Sequence, residues 1–252
     1  MGIIILILEI ILVLGALVVA YFLISYCVFK FVKKYRNANM TITAHSGCNG
    51  TEPNSIASLQ DGYNSGADIL EFDLNFDKYG VPYLSHDDLK GNEIKLEQAF
   101  QFLANNQNVK ANIDVKKTDN MPAVFNLINL YNLSNRVFFT GVEEEFVEAV
   151  RTGCPGIIYY LNCKPEFLKI HCQQYINELV NKVKDCSAIG INMRHYYLSR
   201  KLVKTFHEKD LLVSVWTVND NYFGYFLRRA IYYGPDNITT KIPLKLKGLI
   251  RE

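Results

Sequence analysis

The sequence predicts an α/β fold: a (β/α)₈ barrel of alternating strands and helices, preceded by one N-terminal transmembrane helix. Two observations support this interpretation. An apolar run covers residues 3–29 of a chain of 252 residues. After it, eight short β-rich runs alternate with helical stretches through the rest of the chain. We therefore expect a transmembrane anchor over residues 1–29, a basic linker over residues 30–40 and one barrel domain over residues 41–252.

The apolar run is long enough to cross a bilayer, which takes about 20 residues of α-helix. Glu9 is its only formally charged residue. A buried core helix is one alternative, but such a helix rarely stays apolar on every side over this length. A cleaved signal peptide is another, and it would have a basic start and small residues at its end. No Lys or Arg precedes the run and bulky residues end it, so we favour an uncleaved, single-pass anchor.

Basic residues follow the apolar run at Lys30, Lys33, Lys34 and Arg36. Because the cytoplasmic flanks of transmembrane helices are enriched in Lys and Arg, we expect the barrel domain on the cytoplasmic side of a membrane. A basic cluster at this position could also bind anionic lipid at the membrane surface.

The rest of the chain is close to neutral. The first 37 residues hold four of the 27 basic residues and one of the 25 acidic residues, which leaves a formal net charge of −1 on the remainder. Such a domain lacks the basic surface that is typical of nucleic-acid-binding proteins. We therefore expect a membrane and a small-molecule substrate as partners and no nucleic acid, and the sequence leaves the oligomeric state open.

Eight β-rich runs follow the anchor. They are Thr41–His45, Asp68–Leu74, Val109–Val115, Arg136–Thr140, Gly156–Leu161, Ala188–Asn192, Leu211–Val218 and Asn237–Thr240. A further run, Val81–Ser85, is interpreted as an extra strand or an extended loop after the second strand. Several of the eight are apolar without alternation, which is typical of strands buried on both faces.

Helical stretches separate these strands. They are Ser55–Ser65, Lys95–Asn105, Pro122–Tyr131, Glu143–Arg151, Pro165–Lys184, Ser199–Lys209 and Asn221–Tyr233. Strands that alternate with helices pair in parallel. Eight such units in a chain of this length fit a closed TIM barrel better than an open sheet.

The active site of such a barrel lies at the carboxyl ends of its strands, and polar residues occupy those ends here. Glu71 and Asp73 lie two residues apart on one strand, so they share a face, which in a barrel is the interior. Asp114 on the neighbouring strand adds a third carboxylate. Carboxylates in one small space repel unless a cation joins them, and oxygen ligands suit Mg²⁺ or Ca²⁺. The alternative is that Glu71 and Asp73 are solvated rim charges, paired with Lys116 or another base.

Two histidines accompany these carboxylates. His45 ends the first strand, and His86 ends the extended run after the second. Imidazole titrates near neutral pH, so one ring can accept a proton while the other donates one. Lys116 shares the face of Asp114 and could hold a phosphate oxygen, and His195, after the sixth strand, is a further candidate.

Six short motifs in this order resemble the glycerophosphodiester phosphodiesterase family, and the resemblance extends from His45 to Pro243. The motifs are His45-Ser46-Gly47, Glu52-Pro53-Asn54-Ser55, Glu71-Phe72-Asp73, His86-Asp87, Asn112-Ile113-Asp114-Val115-Lys116 and Trp216-Thr217-Val218-Asn219. Each motif is short, but six of them in the family's order make a chance match a poor explanation.

The resemblance implies a TIM barrel and a role for each matched residue. The roles are an acid–base pair, His45 and His86; ligands of one divalent cation, Glu71, Asp73 and Asp114; and substrate contacts, Lys116, Trp216 and Asn219. In the family, a hydroxyl of the substrate itself is thought to attack phosphorus and form a cyclic phosphate. The metal would neutralise charge on the phosphoryl oxygens and lower the pKa of that hydroxyl.

Four departures from the family pattern lie in or near these motifs. Ser46 replaces the family's Arg, which removes a bidentate phosphate donor. Asp114 replaces Glu and is one methylene shorter. The Glu and Pro of the second motif, Glu52 and Pro53, are transposed, and Lys241 stands where the closing strand of the family has Asp. Together the departures predict a changed substrate or weakened catalysis.

The leading hypothesis is metal-dependent hydrolysis of a glycerophosphodiester, or of a glycerophosphate-containing lipid or polymer, to sn-glycerol 3-phosphate and an alcohol. One alternative is a phospholipase D-like action on lysophospholipid or sphingomyelin, which the anchor makes attractive. Another, from a different class, is a catalytically weak barrel that binds a phosphorylated ligand or a protein partner. The sequence leaves these alternatives open, as it does the choice between Mg²⁺ and Ca²⁺.

Overall fold

A computed structural model describes residues 2–31, 37–219 and 224–251. It has one long N-terminal helix followed by a domain of alternating strands and helices. The helices are α1 Gly2–Phe31, α2 Ile56–Asn64, α3 Leu96–Asn105, α4 Met121–Leu130, α5 Val147–Gly153, α6 Gln173–Asp185, α7 Arg200–His207, α8 Tyr225–Tyr233 and α9 Pro243–Arg251. The strands are β1 Thr41–Ala44, β2 Ile69–Phe76, β3 Pro82–Leu84, β4 Lys110–Val115, β5 Val137–Val142, β6 Tyr159–Asn162, β7 Gly190–Arg194, β8 Leu212–Trp216 and β9 Asn237–Thr240.

Eight of these strands close into a barrel in which all neighbours are parallel. Around the barrel the order is β1, β2, β4, β5, β6, β7, β8 and β9, and β9 pairs back to β1. The short strand β3 lies outside the barrel and pairs antiparallel with the end of β2, with Leu84 opposite Leu74. The predicted (β/α)₈ barrel is therefore confirmed, and the extra run after the second strand is a strand.

The seven predicted helical stretches correspond to α2–α8. Two of these helices, α5 and α6, begin later than predicted, and one further helix, α9, was not predicted. A 3₁₀ turn, Glu144–Phe146, precedes α5, and a loop with a second turn, Phe167–Lys169, precedes α6. The predicted stretch over residues 221–233 begins in part outside the described residues. Helix α9 was not predicted, although Pro243 at its first position and the buried Leu246 and Leu249, three residues apart, are signals of a helix start and an apolar face.

Alternation along the strands produces two kinds of interior. Outward residues such as Phe72 and Ile113 are fully buried in the layer between the strands and the helices. Inside the barrel, Ile69, Phe138 and Tyr160 form a separate apolar cluster toward the amino ends of the strands. Beyond that cluster the inward residues are polar, so the barrel interior changes from apolar to polar toward the carboxyl ends of its strands, where it opens as the mouth.

Helix α1 precedes the barrel and packs against α8 through its C-terminal part, where Ser25, Tyr26 and Phe29 are half-buried. The stretch Ile4–Phe29 is, by length and composition, sufficient to cross a membrane. The predicted basic linker over residues 30–40 includes residues 32–36, which lie outside the described part of the chain.

Candidate active site

Three carboxylates meet at the carboxyl ends of β2 and β4. Glu71 and Asp73 alternate with outward apolar residues of β2, so both point into the barrel. Asp114 lies opposite Asp73 in the parallel register of β2 and β4. One oxygen of each carboxylate lies within 4.8 Å of the other two. The structure thus brings together the three residues that the sequence predicts as metal ligands.

The ammonium group of Lys116 lies beside two of these carboxylates. Its Nζ is 3.0 Å from Asp73 Oδ1 and also donates to Asp114 Oδ2. Burial acts to lower the pKa of Lys116, but the charges of Asp114 and Asp73 outweigh it, so the pKa is raised and the side chain stays protonated. The ion pairs of the alternative interpretation therefore exist, although they involve Asp73 and Asp114 rather than Glu71.

Glu71 is placed differently from its two neighbours. Its side chain is 6% exposed, and its Oε2 accepts a hydrogen bond from the backbone N–H of Ser46 at 2.7 Å. Burial, followed by the charges of Asp73 and Asp114, raises the pKa of Glu71 well above its usual value. A proton or a cation is therefore needed to stabilise this carboxylate.

The chemistry of the cluster fits a divalent cation. Three carboxylates and one ammonium group leave a formal charge of −2, which one divalent ion neutralises. All three candidate ligand atoms are carboxylate oxygens, and hard cations such as Mg²⁺ and Ca²⁺ prefer oxygen ligands.

Ser46 and Asn54 support the cluster from behind. Asn54 has a positive φ of 56°, and its Nδ2 donates to Asp73 Oδ2 at 2.8 Å. The backbone N–H of Asp73 donates back to Asn54 Oδ1 at 3.0 Å, and the N–H of Asn54 donates to Ser46 Oγ at 2.6 Å. Ser46 is buried. Ser46 therefore helps to position Asp73 through Asn54, and it is not among the residues that line the pocket.

Strand β5 supports Asp114 from the other side. The hydroxyl of Thr140 lies 2.8 Å from Asp114 Oδ1 and 2.8 Å from Asn112 Oδ1. Gly141 follows with a φ of +69°, and a Cβ there would lie 2.5 Å from the carbonyl oxygen of Val115. Glycine is therefore required at this position, because β5 approaches β4 too closely for any side chain.

His45 enters the pocket directly after β1. Its Nδ1 lies 2.7 Å from the carbonyl oxygen of Ser46 and 3.8 Å from Glu71 Oε2. We assign the proton on Nδ1 to the contact with the carbonyl, which leaves Nε2 as the acceptor nitrogen. Burial of the ring is the main cause that lowers the pKa of His45, so the ring is neutral near neutral pH.

His86 lies in the loop after β3, and its side chain is 65% exposed. Its Nδ1 is 2.8 Å from Asp87 Oδ1. The side chains of Asn75 and Ser85 both donate to the carbonyl oxygen of Asp87, each at 2.8 Å. The loop that carries His86 is thus fixed to the end of β2, although the imidazole itself is open to solvent.

One pocket of about 490 Å³ at the mouth unites seven of the eight predicted site residues. They are His45, Glu71, Asp73, His86, Asp114, Lys116 and Trp216. The eighth, Asn219, is not among the lining residues, and its Oδ1 accepts the backbone N–H of Lys241 at 2.9 Å. The structure therefore places Asn219 as a support of the end of β9, and a substrate contact for it stays a prediction.

Arg194 lines the same pocket and was not predicted. It ends β7, so the rule that chemistry lies at strand ends could have found it. Its Cζ lies 5.1 Å from the ring centroid of Trp216. The neighbouring candidate His195 instead packs against Phe226 at 5.1 Å, and burial, followed by the charge of Arg229, lowers its pKa to about 4.

Comparisons with known proteins agree on the fold. No protein-family profile and no curated protein sequence matches the chain. Among solved structures, a glycerophosphodiester phosphodiesterase from Parabacteroides distasonis superposes with a TM-score of 0.70 and 18% identity, covering 85% of this chain and 98% of that one. One from Agrobacterium tumefaciens gives a TM-score of 0.68 and 16% identity, over 82% and 99%.

A phosphodiesterase from Oleispira antarctica, solved in complex with the product sn-glycerol-3-phosphate, gives a TM-score of 0.69 at 15% identity, over 84% of this chain and 97% of that one. These likenesses show that the chain has the barrel fold of solved glycerophosphodiester phosphodiesterases, as the motifs predicted. At such identities the likeness establishes the fold, and an activity has to be argued from the pocket.

Proposed function

We propose that this chain, which has the fold of the glycerophosphodiester phosphodiesterases, is a metal-dependent enzyme of that kind. It hydrolyses a glycerophosphodiester, or a glycerophosphate-containing lipid or polymer, to sn-glycerol 3-phosphate and an alcohol. The observation that carries the proposal is one pocket that combines a three-carboxylate cluster, a lysine and two histidines.

In this proposal Glu71, Asp73 and Asp114 hold one divalent cation, Mg²⁺ or Ca²⁺. When bound, the cation supplies positive charge that stabilises the phosphoryl oxygens and favours ionisation of a nearby hydroxyl. Lys116, held between two of the same carboxylates, adds a fixed positive charge that needs no reorganisation during the reaction.

The two histidines move the protons. His45 Nε2 accepts the proton of a substrate hydroxyl as its oxygen bonds to phosphorus. His86 Nε2 gives a proton to the departing alcohol oxygen as its bond to phosphorus breaks, since Nδ1 of His86 is engaged by Asp87. In the second step a water opens the cyclic phosphate, and the two rings exchange roles, as microscopic reversibility requires.

Trp216 and Arg194 form the half of the pocket that faces the carboxylate cluster across the barrel. The Trp216 Nε1–H is buried and has no acceptor within the described residues, so it is available to a substrate oxygen. Arg194 is an exposed residue at the end of β7. We propose that Arg194 provides the anion contact that the family's Arg would make and that Ser46 does not.

A second candidate function is a phospholipase D-like action on lysophospholipid or sphingomyelin. It would use the same residues, and its substrate would differ from a glycerophosphodiester in the groups attached to the phosphate. The apolar helix α1 favours it, because a membrane-anchored barrel meets lipids at high local concentration. We further propose that α1 is this anchor and that the barrel lies on the cytoplasmic side, from the basic residues after α1. Protease accessibility of the barrel on intact cells tests the side.

A catalytically weak, ligand-binding barrel is the remaining candidate. Two observations favour it: Ser46 removes a phosphate-binding group, and Lys116 already pairs with Asp73 and Asp114. Such a protein would bind a phosphorylated ligand without turnover.

The experiment that tests the proposal is turnover of deacylated and acylated phosphodiesters by the full chain, with Mg²⁺, with Ca²⁺ and with chelator. We expect metal-dependent release of an alcohol that is abolished in His86→Ala. The matched control is His171→Ala, because His171 is an exposed histidine outside the pocket. A folded, metal-binding protein that turns over no diester would favour the binding barrel instead.

A further inference from the structure

Helix α1 runs parallel to α8. Phe22 packs against Tyr225 with ring centroids 5.3 Å apart, and Phe29 packs against Tyr232 at 5.1 Å. Phe29 also contacts Tyr225 at 5.4 Å and Tyr233 at 5.9 Å. The contacts of the later α1 residue therefore reach further along α8, so the two helices run in the same direction. The chain after α1 agrees, because Asn37 Nδ2 donates to Asp236 Oδ1 at 2.8 Å, just beyond the end of α8.

This direction places most of α1 beyond the mouth of the barrel. In a (β/α)₈ unit each helix starts at the carboxyl end of the preceding strand, so α8 begins at the mouth. The part of α1 before Phe22 therefore extends past the mouth, away from the barrel, and its residues from Ile4 to Tyr21 are exposed. Twenty helical residues, from Gly2 to Tyr21, span about 30 Å, which matches the hydrocarbon core of a bilayer.

A second observation is independent of α1. Nine large apolar residues are exposed in the described part of the barrel domain, and six of them lie in segments that follow a barrel strand and so border the mouth. We call these six the mouth rim: Ile56, Tyr79, Phe167, Leu168, Tyr196 and Leu244. The other three lie at the opposite end: Leu130, Ile158 and Leu212. Leu168, at the tip of the loop between β6 and α6, is 92% exposed.

Five of the six mouth-rim residues lie in loops on the two sides of α8, the helix against which α1 packs. The barrel order β6, β7, β8, β9, β1 places the loops of Leu168 and Tyr196 on one side of α8 and those of Leu244 and Ile56 on the other. These loops and the N-terminal end of α8 lie at the same end of the barrel, the mouth. Helix α1 passes this level where it extends beyond α8. Exposed apolar groups at that level would meet the same bilayer that surrounds the helix.

We infer that the mouth rim is a membrane-docking surface and that its occupant is the bilayer crossed by α1. Aromatic residues at the foot of the exposed part of α1, Tyr21 and Phe22, then lie at the interface level that Tyr and Trp prefer. Phe167 and Leu168 enter the lipid from the rim. The pocket opens toward the lipid surface, so the phosphodiester that it receives is the headgroup of a membrane lipid; this consequence rests on the proposed function.

Depth-dependent quenching tests the docking without any turnover. The full chain is reconstituted into phosphatidylcholine vesicles with brominated acyl chains, as Leu168→Trp and, for comparison, Leu130→Trp. Both positions are exposed, at 92% and 66%, and lie at opposite ends of the barrel, and Trp216 contributes equally to both variants. We expect fluorescence quenching at least twofold stronger in Leu168→Trp. Equal quenching would overturn the docking, and a second copy of the chain covering the rim would produce that result.

A turnover experiment separates the docking from the proposed function. Leu168→Glu should lower turnover of a lysophospholipid in vesicles about tenfold, because a charged side chain cannot replace the buried apolar surface of a leucine in lipid. It should leave turnover of a water-soluble, deacylated diester unchanged, and Leu130→Glu should affect neither substrate. Equal loss on both substrates would contradict the docking. Absence of turnover in the unmodified chain would refute the proposed function instead, and the quenching result would still decide the docking.

Discussion

The two ends of the barrel interior hold opposite kinds of side chain on the same strands. Toward the amino ends, Ile69, Phe138 and Tyr160 pack together. Two and four residues after Ile69, the same face of β2 presents Glu71 and Asp73 to the pocket. The backbone geometry does not differ, because alternate residues face inward along the whole strand. The two ends of the barrel interior therefore differ only in the chemistry of the inward side chains, which are apolar at the amino ends and charged at the carboxyl ends.

That difference has a free-energy consequence. Burying apolar side chains stabilises the amino end by about 25 cal/mol for each Å² removed from water. Burying Glu71 and Asp73 opposes folding unless a partner compensates their charge. Lys116 compensates part of it, and a divalent cation would compensate the rest. The buried carboxylates thus make the mouth less stable than an apolar interior of the same size would be. Such a loss of stability is expected at a site that binds a cation.

The largest expected effect comes from removing one charge of the carboxylate cluster. Asp73→Asn should abolish the metal dependence of turnover and lower turnover by about a thousandfold, because a bound cation contributes several kcal/mol to the transition state. Titration calorimetry should show the loss of divalent-cation binding. Asp77→Asn is the control, since Asp77 lies just beyond β2 and caps the turn to β3. Similar losses in both variants would contradict a localised site.

A substitution at Gly141 tests how closely the backbones of β5 and β4 approach each other at the mouth. Gly141→Ala places a Cβ against the backbone of β4, 2.5 Å from a carbonyl oxygen, and should lower the free energy of unfolding by about 3 kcal/mol. Gly50→Ala shares the positive φ but has open space around it, so it should lose only about 1 kcal/mol. Denaturant titration of both variants measures the difference. Equal losses would mean that strain alone, and not the approach of β5 to β4, accounts for the effect.

A substitution at Arg194 tests whether the half of the pocket opposite the carboxylate cluster acts in substrate binding. Arg194→Gln should raise KM for an anionic phosphodiester about tenfold, which corresponds to one charge-assisted hydrogen bond, and should leave kcat almost unchanged. Arg151→Gln, an exposed arginine on α5 outside the pocket, is the control. A loss in kcat without a change in KM would show that Arg194 acts in the transition state and not in binding.

The smallest expected effect concerns His195, which borders the mouth without taking part in it. Its pKa of about 4 in the folded protein lies below the usual value of about 6.5, so the unfolded chain binds a proton more readily. The contribution of neutral His195 to the free energy of unfolding is therefore complete above about pH 6.5 and is lost as the pH falls toward 4. It amounts to at most about 3 kcal/mol. Thermal melts from pH 7 to 4 should show a weaker decline in His195→Gln than in the unmodified chain, and parallel declines would contradict the assignment.

Much of the fold could be predicted from local patterns. The eight strands are short and apolar, and polar residues follow them at one end, so the barrel and the cluster of Glu71, Asp73 and Asp114 were both predicted. The run over residues 81–85 was interpreted as an extra strand or an extended loop, and the structure has the strand β3 there. Helix α9 was missed, although its N-terminal proline was a usable signal.

Other features depend on contacts that no local pattern contains. Asn54 adopts a left-handed conformation and holds Asp73, nineteen residues away in sequence. Ser46 was interpreted only as the loss of a phosphate donor, and the hydrogen bond that its Oγ accepts from the N–H of Asn54 could not be predicted. The packing of α1 on α8 joins residues about two hundred positions apart, so neither the direction of α1 nor its position relative to the mouth rim could be inferred from the sequence.

One measurement tests the central claim, that the carboxylates at the mouth hold a single divalent cation that the reaction requires. Turnover of a glycerophosphodiester by the full chain is measured against free Mg²⁺ or Ca²⁺, and binding of the same ion is measured by calorimetry. We expect one ion per chain and the same midpoint in both titrations, with both responses absent in Asp73→Asn. Turnover that persists in chelator, or ion binding that survives in Asp73→Asn, would contradict the claim.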